Sequence, residues 1–246
     1  MQIQDVSFSE RRIHVPRYLI EDPQYNGGAD RQYPYRPGLT DEQRTPAGWM
    51  ARRWDPKVRE RFHRLLNALA KEFDGRIEGI NLAETSCEVR SGELSPKGFT
   101  REAYREGIIA NMKAMRQAFK RSVVMLYANF MPGDWLPDQD NGHLRAVYAA
   151  SKELNVGVGG PDVLPYRPGQ MNNSYHLIRD SGGRVPVGMA VQDGNYEHIN
   201  PKTGKRVTAR EIFDFAAEYL KTDYLFWGIE EPYFTEQTIP FLKRSR

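Results

Sequence analysis

The sequence predicts an α/β protein: a (β/α) barrel of the TIM type, incomplete at its N-terminal side and present as about six strands. Three observations carry that expectation. From residue 54 onward, short β-branched runs alternate with amphipathic helical stretches, the pattern of successive βα units around a parallel sheet. Each apolar run ends in a polar or charged residue, as strands do where they reach a polar rim. The length of 246 residues fits one barrel domain of about 250 residues.

The elements follow in chain order. Residues 2–8 read as a strand. Residues 9–52 form a long βα loop rich in Pro, Gly, Tyr and Arg, expected to roof the pocket with Tyr18, Tyr25, Tyr33, Tyr35 and Trp49 as lining. Asp55 is placed to N-cap a helix with Pro56 at its first position. Phe62, Leu65, Leu66, Leu69 and Phe73 recur at spacings of three and four, so one face of that helix is buried. Asp74-Gly75 ends it, and a strand over 77–83 runs into Glu84. Thr100 caps a helix to about residue 119. A strand over 122–128 ends at Asn129, and a helix covers about 141–154. A short strand over 155–159 leads into Gly160-Pro161-Asp162. A weaker helix near 170–180 precedes a strand over 185–191, which ends in Gln192-Asp193-Gly194-Asn195. Thr208 caps a helix to about residue 220. A strand over 223–228 runs into Glu230-Glu231-Pro232, and a last short helix covers about 236–243.

That makes six strands where a closed barrel of this type has eight. The first residues already read as a strand, so the leading two βα units are expected to be absent. A six-stranded open sheet leaves two unpaired edges.

Composition narrows the function. The net charge of +3 is small and evenly spread, with 39% apolar and 27% charged residues, so neither a nucleic-acid nor a membrane surface is indicated. No run reaches the roughly 18 apolar residues of a membrane span. One cysteine, Cys87, excludes an internal disulfide. No signal peptide is visible, which leaves localisation open. The five histidines show no metal-site spacing, and no dinucleotide fingerprint, P-loop or nucleophile elbow occurs. No metal or cofactor is implied.

The strand ends converge on one face of a parallel barrel, where catalytic groups lie. Glu84 is the leading candidate. It shares alternation parity with Ile80 and Leu82, so all three are expected to point inward. A carboxyl at an apolar mouth is partly desolvated, which raises its pKa and suits a general acid. Hydrolysis of a glycosidic bond needs a second carboxyl group, and Asp5, Asp162, Asp193, Glu230 and Glu231 are available. Asp193, Glu230 and Glu231 are the catalytic candidates beside Glu84. Asp5, Asn81, Tyr127, Asn129, Trp135, Asp162, Gln192 and Trp227 are the candidate substrate-binding residues. The loop aromatics fit carbohydrate, because a flat ring stacks on the C–H face of a pyranose.

These motifs resemble the glycoside hydrolases of clan A, a (β/α)₈ group with cellulase-like and β-galactosidase-like members. The likeness runs from residue 2 to about 234. It rests on Asp55-Pro56-Lys57-Val58-Arg59-Glu60-Arg61-Phe62, on Phe73-Asp74-Gly75 before the strand ending in Glu84, and on Phe226-Trp227-Gly228. The resemblance implies that Glu84 ends the fourth strand as acid/base and that Trp227 ends the eighth as a sugar platform. It also implies that residues 2–8 are the third strand. The chain departs from the family pattern at two places. Ala83, not Asn, precedes the acid/base, and Gln192 stands where the family's nucleophilic glutamate ends the seventh strand. Gln cannot form a glycosyl ester. Either another carboxylate acts, or the chain is a glycan-binding barrel without catalysis. A lyase or aldolase-type barrel is a third class, but no lysine stands at any strand end. The expected partner is an oligo- or polysaccharide, and the oligomeric state is open.

Overall fold

The computed structural model describes residues 1–244. Six strands form one parallel sheet. They are β1 (Gln2–Ile3), β5 (Gly79–Leu82), β6 (Val123–Tyr127), β7 (Gly157–Gly160), β8 (Val187–Val191) and β9 (Tyr224–Trp227), adjacent in that order. The sheet curls into a partial barrel with helices between its strands. The incomplete (β/α) barrel expected from the sequence is what the chain forms. β1 and β9 are the edges, and among the described residues neither has a partner on its outer side.

The helices lie where periodicity and capping place them. Helix α2 (Pro56–Phe73) starts on Asp55, whose Oδ1 accepts from the N–H groups of Lys57 and Val58. Helix α3 (Arg101–Ala118) starts on Thr100, and α4 is His143–Leu154. The weak helical stretch near 170 is α5 (Pro168–Gln170), a π turn at Met171–Tyr175, and α6 (His176–Arg179). Helix α7 (Ala209–Asp214) opens with a capping box between Thr208 and Glu211 and continues through a π turn. The last helix, α8 (Ile239–Arg244), follows another π turn.

The N-terminal region is more structured than expected. The run over 2–8 is not one strand. It breaks at Gln4-Asp5, and Val6–Ser7 becomes β2 of a separate antiparallel sheet with β3 (Ala29–Gln32) and β4 (Gly48–Ala51), in the order β2-β4-β3. A short helix, α1 (Arg17–Glu21), packs Leu19 with Val15, Tyr25, Ala51 and Val58 of α2 into a small core. These strands of two to four residues lie in a Pro- and Gly-rich stretch without βα repetition, and they exist through their pairing with one another. Tyr25 is buried in that small core, Tyr18 and Tyr35 are exposed, and Trp49 lies under the Arg31 guanidinium. None of the five loop aromatics lines the concave face of the barrel.

The strand parity is the reverse of the expectation. Ile80 and Leu82 of β5 face the helices, together with Val124 and Leu126 of β6. Gly79 and Asn81 face the concave side, with Met125 and Tyr127. A barrel strand is apolar on both faces, so alternation alone does not tell inside from outside. The concave recess measures about 460 Å³. Across it Tyr224 donates to Glu78 Oε1 at 2.9 Å, joining the start of β9 to the residue before β5. β7 contributes glycines to this face. A Cβ at Gly157 would meet Met125 at 2.6 Å, and one at Gly159 would stand 1.6 Å from the Gly188 carbonyl.

Candidate functional site

Because all six strands run parallel, their C-terminal ends share one rim. Glu84 reaches that rim past the end of β5, half-buried. Its backbone is held by Arg53, whose Nη1 donates to the Glu84 carbonyl at 2.8 Å and to the Tyr104 hydroxyl at 2.8 Å. Tyr104 donates onward to the Thr85 carbonyl at 3.0 Å. The same guanidinium grips Asp5 through both carboxylate oxygens, at 2.9 and 2.5 Å, with the arginine side chain only 4% exposed. Asp5, expected at the substrate, is therefore engaged as the counter-ion of a buried arginine.

The carboxyl of Glu84 meets Asn129, which follows β6. Asn129 Nδ2 donates to Glu84 Oε2 at 2.7 Å. The Asn129 amide is itself seated: its Oδ1 accepts from the Ser86 N–H at 3.2 Å and the Phe130 N–H at 2.9 Å. Its main-chain carbonyl accepts from Asn173 Nδ2 at 2.8 Å. Burial raises the Glu84 carboxyl above its ordinary range. The Asn129 bond offsets part of the rise, the Asp162 charge adds to it, and Arg53 opposes it.

Asp162 follows β7 and accepts two bonds on Oδ1, from Gln192 Nε2 at 3.0 Å and Asn195 Nδ2 at 2.9 Å. Asn195 is buried, and its own Oδ1 accepts from the Val163 N–H at 2.8 Å, so it pins the loop after β7 to the loop after β8. Asp162 also acts on His198, whose imidazole is lowered by burial and by Arg167 while the aspartate opposes them. Two bonded pairs, Glu84 with Asn129 and Asp162 with Gln192, thus stand on the same rim.

The other candidates divide. Tyr127, Gln192 and Trp227 line the recess below the mouth, as does Asn81, whose buried amide has no hydrogen-bond partner among the described residues. Burial raises the Tyr127 phenol far above its ordinary range. Trp227 belongs to an aromatic stack with Tyr196 and Tyr233, at ring separations of 6.4 and 5.1 Å. Trp135 stands exposed on the loop after β6, stacked on Phe130 at 5.6 Å. Asp193 is exposed in the turn after β8. Glu230 Oε2 accepts from the Gly194 N–H at 2.9 Å and so steadies that turn. Glu231 bonds Thr235 at 2.6 Å, at the start of the closing π turn.

Sequence reasoning missed Arg53, Tyr104, Asn173 and Asn195. Arg53 lies 48 residues from Asp5 and 31 from Glu84, and no local pattern links such partners. Asn195 was visible only as a turn residue. Among the described residues, no cluster of three or more His, Cys, Asp or Glu side chains is placed to hold a metal ion. No described helix is long and apolar enough to cross a membrane.

No known protein family and no curated protein matches the chain. Among solved structures, it is similar to the crystal structure of Aspergillus fumigatus Ega3 in complex with galactosamine, at 11% identity and a TM-score of 0.45. The match covers 92% of this chain and 72% of that one.

Proposed function

We propose that this chain is a carbohydrate-active barrel protein that cleaves a glycosidic bond, with Glu84 as general acid/base and Asp162 as the second carboxylate. The observation that carries this reading is the pairing at the mouth. Glu84 is partly desolvated and raised, and it feels the charge of Asp162, which holds two amide donors on one oxygen. Two carboxyl groups in unlike surroundings divide into a proton donor and an anion that activates water or stabilises developing positive charge. Trp227 below the mouth and Trp135 beside it offer flat apolar faces to sugar rings. Asp193 remains available to substrate from its exposed turn, while Glu230 and Glu231 serve the chain around them.

The test is hydrolysis of an oligosaccharide panel by the full chain and by Glu84→Gln. General acid–base catalysis supplies about 10²–10⁴-fold, so the variant is expected to lose activity in that range. A loss below about tenfold removes the mechanism. A second reading, a glycan-binding barrel without catalysis, is favoured by Gln192. It stands where the resemblance places a nucleophile, and it occupies Asp162 Oδ1 instead. Calorimetry with the same panel separates the two readings, since binding without turnover supports the second.

A further inference from the structure

We infer that Asn129 decides which oxygen of Glu84 carries the acid's proton: Oε1 holds it, and Oε2 stays an acceptor. The inference deepens the reading of Glu84 as an acid and rests on it for its functional meaning, but the geometry concerns the free protein.

The orientation of the Asn129 amide is fixed by its neighbours. Its oxygen accepts from two main-chain N–H groups, those of Ser86 and Phe130. Turning the amide over would set its NH₂ against two donors and its oxygen against the Glu84 carboxyl, losing three hydrogen bonds together. The side chain cannot escape by moving as a unit, because Asn173, buried in the π turn between α5 and α6, holds the Asn129 carbonyl and accepts from the Leu136 N–H at 3.0 Å. Nδ2 is therefore a fixed donor aimed at Glu84 Oε2, at 2.7 Å. A proton on Oε2 would face that donor. On Oε1 it meets none, because Oε1 accepts from no described group and is not sealed from solvent.

The charged groups facing Glu84 leave this assignment in place. Arg53, ahead of α2, directs its Nη1 to the Glu84 main-chain oxygen rather than to the carboxyl. Asp5, Tyr104 and Cys87 act on Arg53. Asp162, after β7, raises the carboxyl's affinity for a proton without contributing a donor. Asn129 is thus a positioning residue. It holds the acid so that its O–H is on the open side, ready for a leaving-group oxygen, and it restores that arrangement each time the acid is reprotonated.

The experiment uses infrared difference spectra and a carbon-13 titration of glutamate carboxyls on the full chain, without substrate. Glu84→Gln removes the Glu84 signals and assigns them. With the proton on Oε1, the C=O of protonated Glu84 is the oxygen bonded to Asn129. Asn129→Ala is then expected to move its stretching band to higher frequency. A band that does not move places the proton on Oε2 and overturns the inference. Asn129→Asp keeps the shape and the two main-chain bonds but replaces the donor with a carboxylate. It is expected to raise the Glu84 midpoint by about one pH unit or more, which reports the contact between the two side chains, while the band decides the oxygen. If Asn129→Ala does not fold, the near-isosteric Asn129→Leu, which also lacks the donor, supplies the band. Hydrolysis assays stand apart: shifted spectra in a protein that cleaves nothing discard the proposed function and leave the proton's position intact.

Discussion

Arg53 Nη1 lies 2.8 Å from the main-chain oxygen of Glu84. The contact links the edge strand to Glu84, since the same guanidinium holds Asp5 just after β1. Gly107 in α3 leaves room for the Arg53 backbone, because a Cβ there would stand 2.1 Å from the Arg53 carbonyl.

Removing one member of this pair is expected to cost far more than the pair contributes. Arg53→Met leaves Asp5 largely buried without its counter-ion, which costs about 3–5 kcal/mol in comparable pairs. The double variant Arg53→Met/Asp5→Leu is expected to regain most of that loss, since two charges no longer need to be buried. Urea denaturation of the three proteins checks it. Equal stability of single and double variants would show that the packing of the arginine stem, not the charge, is what matters.

Glu84 makes stability depend on pH in a definite direction. Its folded-state pKa lies above the ordinary value of 4.5, so the native chain binds this proton more tightly than the unfolded chain does. The group's contribution to stability is fully present below that ordinary value and is lost as pH rises through the folded one. Glutamine stays neutral and can still accept from Asn129. Glu84→Gln is therefore expected to melt higher than the parent at pH 8, with the advantage gone at pH 4. Thermal melts across that range measure it, and a variant less stable at pH 8 contradicts the direction of the shift.

The second carboxylate is open to direct comparison. Asp162→Asn is expected to lower hydrolysis by about 10²-fold or more, as removal of a reacting carboxylate does. Glu231→Gln, which disturbs only the two bonds to Thr235, is expected to stay within a few-fold of the parent. Asp193→Asn reports on the exposed turn. If it is the severe variant and Asp162→Asn is mild, the roles are exchanged. Initial rates on one good substrate give the answer.

Two glycines of neighbouring strands are expected to respond unequally to the same added methyl. At Gly188 the Cβ would meet the Met125 sulfur at 2.7 Å, and a thioether can move aside. At Gly159 it would meet the Gly188 carbonyl at 1.6 Å, where only the backbone can yield. Gly159→Ala is expected to cost at least the roughly 1–3 kcal/mol of an overpacked core, and Gly188→Ala less. Denaturation midpoints decide the order.

The fold was legible because βα repetition and helix caps are local signals. Asp55, Thr100 and Thr208 each cap the helix that the sequence assigns to them. The inward face was not legible, since Ile80 and Gly79 alternate on a strand covered on both sides. The small antiparallel sheet was not legible either, because its strands are defined by distant partners such as Val6 and Met50. At the site, the residue types at the strand ends were readable, and two pairs of them bond, Glu84 with Asn129 and Asp162 with Gln192. Their supports were not, because Arg53, Asn173 and Asn195 act across separations that leave no pattern in the chain.

From β5 onward the sheet follows the chain: every strand lies beside its sequence neighbour. One cut therefore divides it into two contiguous blocks, and Gly183-Arg184, exposed between α6 and β8, is where such a nick disturbs least. The halves would meet in the sheet along the single seam of Val158–Val187, Gly159–Gly188 and Gly160–Met189. One half carries Glu84, Asn129 and Asp162, and the other carries Gln192 and Trp227. Glu84 and Trp227 thus belong to separate blocks, joined along a seam in which Gly159 lies against the Gly188 backbone and leaves no room for a side chain.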